Sequence, residues 1–326
     1  MKKISSPSFC IAKVIDEIVE YMEQNQGNNK SGIIRELHES NLLLPYFNKI
    51  ESDYLEAGEN LQSLISKLEQ SDEVLVIEKS KMKELYKTFY SSESSFRRDL
   101  YKLTPRCCPI CDAEWGYATH TLDHILPESI FPQFAILPIN LVSTCYRCNH
   151  SKNSIVGYLE SQGVLNPYFN SVNLLPYLKC YTYIKGDDFI THIQLKNESV
   201  VGLDPLKYKR LRFFYEEVYK LNEAYSEVAR VSVLNSLIDT LSELGDVTND
   251  FIKGYFQSLI MDDKEDLISK GVVTLEFLKV LVLESLQDLE VEAYDLINRM
   301  LQERRQMSEV QDIFWLFVNC SGLKKS

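Results

Sequence analysis

Two Cys-x-x-Cys pairs, Cys108-Pro-Ile-Cys111 and Cys145-Tyr-Arg-Cys148, constrain this chain more than any other feature. Each pair calls for a tight knuckle, and together they supply four thiolates, the donor set of a tetrahedral Zn²⁺ site. The 33 residues between them exceed the loop of a simple zinc ribbon, so a folded insert is expected inside the clamp. Four buried cysteines without metal are the alternative, but chance rarely yields two such pairs around one short segment. Cys107 offers a substitute ligand; the spacing favours Cys108. Cys10, Cys180 and Cys320 are scattered and read as small buried hydrophobes rather than disulfide partners.

The segment around the knuckles differs from its flanks. Residues 8–103 read as mostly helical. Ile11, Val14, Ile15, Ile18, Val19 and Met22 make an apolar stripe, a loop is expected over 24–31, and further helices around 32–39, 53–69, 79–90 and 93–103. Thr104-Pro105 ends that region, and proline, cysteine and short β-like runs predominate to residue 170. Residues 178–184 and 189–195 alternate around Lys185-Gly186-Asp187-Asp188, the pattern of a β-hairpin. Asp204-Pro205 reads as an N-cap followed by proline at the first helical position, with helices over 205–243 and much of 247–318. The organisation expected is therefore an N-terminal helical region (1–103), a small α/β segment (104–170), and a hairpin plus a C-terminal helical region (171–326). The fold class is mainly α with a small ββα insert, α+β overall.

No apolar run is long enough to span a membrane. Met1-Lys2-Lys3-Ile4 is followed by Ser5, Ser6, Ser8, Lys13 and Asp16, which reads as the start of an amphipathic helix in a cytoplasmic protein. The net charge of −12 looks wrong for a protein that approaches phosphates. The charge is uneven, however. Arg97 to Lys152 holds six Lys/Arg against five Asp/Glu, so the remainder carries −13.

Between the knuckles lies His120-Thr-Leu-Asp123-His124-Ile-Leu-Pro127. Adjacent side chains of an ideal strand point to opposite faces, so Asp123 and His124 need a local bend to serve one site. Alone, such a pair reads as a surface Asp and a structural His. Asn140-Leu-Val leads into the second knuckle, followed by Asn149-His150-Ser151-Lys152. A helix starting at the knuckle would set Asn149 and Lys152 on one side, three residues apart.

In this order and spacing the residues resemble the HNH endonucleases, whose motif sets Asp-His on a first strand, Asn on the following segment, and His or Asn on a helix. The string LDHILPESIFPQFAILPINLVSTCYRCNHSK from Leu122 to Lys152 is similar to a subgroup of nucleases in antiphage systems such as Septu, which accompany an SMC-like ATPase. Asn166-Pro-Tyr-Phe169 extends the likeness. The resemblance implies a ββα-metal fold with a structural zinc on Cys108, Cys111, Cys145 and Cys148, and a catalytic Mg²⁺ or Mn²⁺ on Asp123 and Asn149. It implies His124 as general base and Asn140 as the tether of the ββ loop. DNA is the implied substrate, with an SMC/ABC-like ATPase as protein partner and no membrane. Lys152 and Arg147 are the candidate phosphate contacts. Asn149 stands where many relatives have His, and His150 follows it, so either can be the metal ligand, with Asn149 favoured. Glu128 stands where the subgroup has a basic residue.

Other candidates are weaker. His120 shares the strand face of His124 and reads as structural, while His38 and His192 lack supporting neighbours. Lys207-Tyr-Lys-Arg-Leu-Arg-Phe-Phe214 reads as an amphipathic helix before it reads as a nucleic-acid contact. The rival functions are a non-catalytic zinc module that binds nucleic acid or protein, and a stand-alone restriction-type endonuclease.

Overall fold

The computed structural model describes residues 1–24, 32–70, 77–116, 119–245, 247–260, 264–289 and 293–306. Its helices and strands run in the order α1 (Ile11–Gln24), α2 (Gly32–Glu39), α3 (Leu43–Ala57), α4 (Leu61–Glu69), α5 (Lys79–Phe89), α6 (Ser95–Lys102), β1 (His120–His124), β2 (Leu141–Cys145) and α7 (Tyr146–Lys152). There follow β3 (Leu178–Lys185), β4 (Asp188–Leu195), α8 (Glu198–Val201), α9 (Pro205–Arg212), α10 (Leu221–Val228), α11 (Asn235–Glu243), α12 (Asn249–Ile260), α13 (Lys264–Lys270) and α14 (Leu275–Gln287). The described residues are mainly α with two small two-stranded antiparallel sheets, as the sequence patterning implied. No helix among the described residues is long and apolar enough to cross a membrane.

Two compact units form, one of Met1–Asn173 with Gly202–Lys220, the other of Leu174–Val201 with Leu221–Ser326. In the first, the stripe of α1 is buried through Ile11, Val14, Ile15, Ile18 and Met22. It joins a continuous core with Phe47 and Tyr54 of α3, Leu61 and Ile65 of α4, Met82 of α5 and Phe96 and Leu100 of α6. Leu122, Ile125, Leu126, Phe134, Leu141 and Val142 of the inter-knuckle segment belong to the same core. The small α/β segment therefore leans on the helices for burial, since two five-residue strands cannot form a stable sheet alone.

The helix expected over 53–69 is two helices. α3 starts at Leu43, ten residues earlier, because Pro45 falls in the first turn, where a missing N–H costs nothing. It ends at Gly58, whose φ of +50° closes the turn onto Tyr54 O. Asp204 caps α9 as expected, its carboxylate accepting from the amides of Leu206 and Lys207 with Pro205 at the first position. The helical run then passes into a π-helical stretch, Phe213–Val218.

In the second unit β3 and β4 pair from Leu178↔Leu195 to Lys185↔Asp188, so the expected hairpin is present, turning at Gly186 with φ +66°. Cys180, Thr182, Phe189, Thr191 and Ile193 are buried on one face, with Thr182 Oγ1 2.6 Å from Ser285 Oγ of α14. Of the lone cysteines, Cys180 is buried as expected, whereas Cys10 is exposed, one residue before α1. The calls on the 24–31 loop beyond Gln24, on the helix beyond 306 and on Cys320 lie outside the described residues.

Candidate functional site

The first knuckle is a turn in which Cys108 N donates to Ala113 O and Asp112 N to Cys108 O, both at 2.9 Å, with Asp112 at φ +60°. The second sits where β2 becomes α7. Cys145 is the N-cap, its Sγ accepting from Cys148 N at 3.4 Å, while Cys108 Sγ accepts from Cys145 N at 3.4 Å. Strand pairing thus brings together two pairs separated by 33 residues. All four side chains are buried, and their sulfurs lie within 4.8 Å of one another. A tetrahedron with metal–sulfur bonds of about 2.3 Å has sulfur–sulfur edges of about 3.8 Å, and Cys111 Sγ to Cys145 Sγ is 3.7 Å. The four cysteines form a cluster fit to hold zinc. Cys107 stands apart, in a β-bridge to Glu114.

The thiols hydrogen-bond to one another and so act on each other's ionisation. Hydrogen bonds from Cys108, Cys111 and Cys148 pull the Cys145 thiol well below its usual range. The same sharing pushes Cys111 and Cys148 up. Four sulfurs this close cannot all ionise without a cation among them, which is what a divalent metal supplies.

β1 and β2 pair antiparallel from His120↔Cys145 to His124↔Leu141. The 16-residue connection between them is held by Asn140, which is fully buried. Its Oδ1 accepts from Tyr54 Oη (2.9 Å) and Leu126 N (2.8 Å), and its Nδ2 donates to Leu126 O (3.0 Å) and Phe134 O (3.1 Å). All the hydrogen-bonding capacity of the amide is thereby used. A second buried amide, Asn166, donates to Tyr54 Oη (3.2 Å) and Ile139 O (3.1 Å). Tyr54 links the two asparagines and had no sequence signal of its own, being an aromatic on an amphipathic helix.

α7 lies across β1. Asn149 Nδ2 donates to Thr121 Oγ1 (3.1 Å) and Leu122 O (3.2 Å). One turn on, Lys152 Nζ reaches Asp123 Oδ1 at 3.0 Å and His124 O. Asn149 and Lys152 do share one helix side, as their spacing implied. Lys152 and Asp123 are each 3% exposed at the side chain, so this lysine points into the protein rather than to the surface where a phosphate contact was expected. Asp123 Oδ2 is buried with no hydrogen-bond partner. Burial raises the Asp123 carboxyl, opposed by Lys152.

His124 Nε2 is 2.9 Å from Ala135 O, and its ring packs on Tyr86 of α5, 4.4 Å between centroids. Burial pulls this imidazole down to about 4. Glu128 Oε2 stands 4.0 Å from His124 Nε2. Asp123, His124 and Asn149 line one cleft of about 570 Å³ together with Tyr86, Thr121, Glu128, Tyr146, His150 and Asn153. Arg147 is half-buried on α7 and is not in that lining. His150 is exposed, stacked on Tyr146. His120 packs against Trp115 and Tyr101 and contacts Ser143 Oγ. Sequence reasoning missed Tyr86, which lies 38 residues from His124 and had only its place in a helix to mark it.

No family model matches the chain, and no solved structure matches it. Among curated proteins it is similar to protein ea31 of Escherichia phage lambda, 36% identical over 64 residues. The matched stretch is 19% of this chain and spans about a fifth of the length of ea31 (21%).

Proposed function

We propose that this chain is a metal-dependent endonuclease of the HNH type that hydrolyses phosphodiester bonds in DNA. The observation that carries the reading is the convergence of Asp123, His124 and Asn149 on one cleft beside the four-cysteine cluster.

The donor set fits a hard divalent cation. Asp123 keeps one buried carboxylate oxygen unpartnered, and Asn149, with its amide nitrogen committed to β1, keeps its carbonyl oxygen. Mg²⁺ or Mn²⁺ held there supplies Lewis-acid stabilisation of the phosphate and the leaving oxygen. The ring of His124 is set up as a base. Ala135 O can only accept, so Nε2 carries the proton and Nδ1 of the neutral imidazole keeps its lone pair. Burial holds the ring neutral near pH 7. It can then take a proton from the attacking water, which is general-base catalysis. Asn140 touches no reacting atom; it fixes the loop that carries Ala135 and hence the tautomer and tilt of His124. Lys152 orients Asp123 and locks α7 to β1. A zinc on four thiolates has no open position and holds the geometry without entering the reaction.

The test is nicking of supercoiled plasmid by the full chain in Mg²⁺ or Mn²⁺. His124→Ala should lower the rate by roughly 10²–10⁴-fold with zinc content unchanged and the chain still folded at the assay temperature. Equal cutting by the variant, or no cutting by zinc-loaded wild type in either metal, would sink the reading. The buried Asp123–Lys152 pair favours one rival, a non-catalytic zinc module in which Asp123 is only a counter-ion. Asp123→Asn decides, because the rival loses stability alone and the enzyme loses metal-dependent cutting. The resemblance further suggests an effector role in an antiphage complex with an SMC/ABC-like ATPase, which the −13 outside residues 97–152 supports, since such a chain needs help to approach DNA.

A further inference from the structure

The helix that supplies Tyr86 to the cleft is the most basic of the helices that precede the first knuckle. α5 reads KSKMKELYKTF, four lysines against one glutamate, in a chain of net charge −12. Met82 and Leu85 anchor it in the core. Lys79, Lys83 and Lys87 recur every fourth residue and therefore share one face, the face next to Tyr86. Contacts place that face on the cleft rim. Lys79 Nζ donates to Ser129 O, and Lys83 Nζ is 3.9 Å from Glu128 Oε1. Both lysines line a smaller concavity of about 180 Å³ that shares Glu128 and Ser129 with the cleft. Lys87 is exposed, with no ion-pair or hydrogen-bond partner among the described residues.

A helix face that is only solvated shows no sign bias, and its lysines commonly find glutamates three or four residues away. Lys81 does so, with Glu84 at 3.1 Å, and it is absent from the smaller concavity that Lys79 and Lys83 line. The three lysines of this face have no such intrahelical partner, and Lys83 has only the long approach to Glu128. At 1.5 Å per residue, Lys79 to Lys87 spans about 12 Å, the axial rise of three to four phosphates of one DNA strand at about 3.4 Å each.

We propose that Lys79, Lys83 and Lys87 form a phosphate rail that receives the sugar-phosphate backbone of DNA along the rim and delivers it to the cleft beside His124. The proposal rests on the nuclease reading of the cleft and names where that site takes its substrate. Tyr86, between the rail and His124, separates the binding face from the chemistry. Glu128 is the carboxylate that the two concavities share. An arriving phosphate competes with it for Lys83.

The experiment measures binding of a short duplex by fluorescence anisotropy across a salt series, using the full chain without Mg²⁺ or Mn²⁺. The Lys79→Gln/Lys83→Gln/Lys87→Gln variant should lose close to 3 units from the slope of log K against log salt, about 0.9 per lost phosphate contact. Lys87→Glu, a change at a side chain with no contacts to break, should weaken binding at low salt with melting unchanged. Lys81→Gln, on the same helix, should alter the slope by less than any single rail variant. An unchanged slope in the triple variant, or an equal change in Lys81→Gln, overturns the rail. The failures separate cleanly. Wild-type slope and cutting in the triple variant, with His124→Ala inactive, refutes the rail and leaves the nuclease. A rail-dependent slope in a chain that never cuts supports the rail and refutes the nuclease.

Discussion

Replacing Lys152 by methionine removes an ammonium while keeping most of the side-chain volume, and so isolates what the buried pair contributes. Lys152 and Asp123 are 3.0 Å apart with 3% side-chain exposure on each side. At an effective dielectric of about 20, two unit charges at that separation attract by about 5 kcal/mol. Losing one partner of a buried pair costs about 3–5 kcal/mol, because the other charge is left uncompensated. The carbonyl of His124 loses its lysine donor as well. A domain has only about 5–15 kcal/mol in total, so Lys152→Met should move the urea midpoint by a large fraction of its range. The measurement is urea unfolding of zinc-loaded protein in Mg²⁺-free buffer, run as a double-mutant cycle with Asp123→Asn. The double variant should be no less stable than Lys152→Met alone, since both charges are then gone. Adding Mg²⁺ should restore part of the loss in Lys152→Met, more than it stabilises wild type, because a cation at Asp123 Oδ2 replaces the missing charge. A cost under about 1 kcal/mol with additive single effects would refute the reasoning, since the pair would then behave like an exposed one.

Three further outcomes follow from the same geometry. Purified protein should contain about one zinc per chain, and Cys145→Ser, which removes a ligand and the cap of α7, should lose it with local unfolding seen by limited proteolysis. Asn140→Ala strands four groups that the amide now satisfies, so it should cost about 3 kcal/mol or more in urea unfolding. Asn140→Asp, which sets a buried carboxylate oxygen against the carbonyls of Leu126 and Phe134 where the amide donated, should cost at least as much as the alanine. On the proposed effector role, the free chain should bind DNA weakly at physiological salt, and a complex with an SMC/ABC-like ATPase should bind it more tightly with a steeper salt slope; tight, sequence-specific binding by the free chain would favour an autonomous enzyme.

How legible the molecule is depends on how local each interaction is. The knuckles could be read at once because two residues of spacing set a ligand pair, and the hairpin and the Asp204 cap because turn chemistry is equally local. The register of Asp123, His124, Asn140 and Asn149 was legible only through resemblance, since strand alternation alone would have parted Asp123 from His124. Tyr54 was beyond reach. It meets Asn140 across 86 residues, and an aromatic on a helix stripe reads as core whether or not its hydroxyl holds a loop. The split of the 53–69 helix at Gly58 was visible in the glycine, but Pro45 hid the earlier start.

Lys152 and the lysines of α5 illustrate the limit from opposite sides. A lysine at the end of a short helix reads as solvated, and sequence gives no reason to bury it. Only the crossing of α7 over β1 turns Lys152 inward, and the cost of its burial is met by the carboxylate it finds there. Lys79, Lys83 and Lys87 read as the ordinary polar face of an amphipathic helix, and locally they are that. What distinguishes them is the neighbour: Tyr86 on the same helix touches His124, so the face that is merely exposed in sequence borders the cleft in three dimensions. On the proposed reading the two charges act at different ranges: the −12 of the chain opposes the approach of DNA, while the lysines of this face act on a phosphate already at the cleft, because screening confines a surface charge to about 8–10 Å.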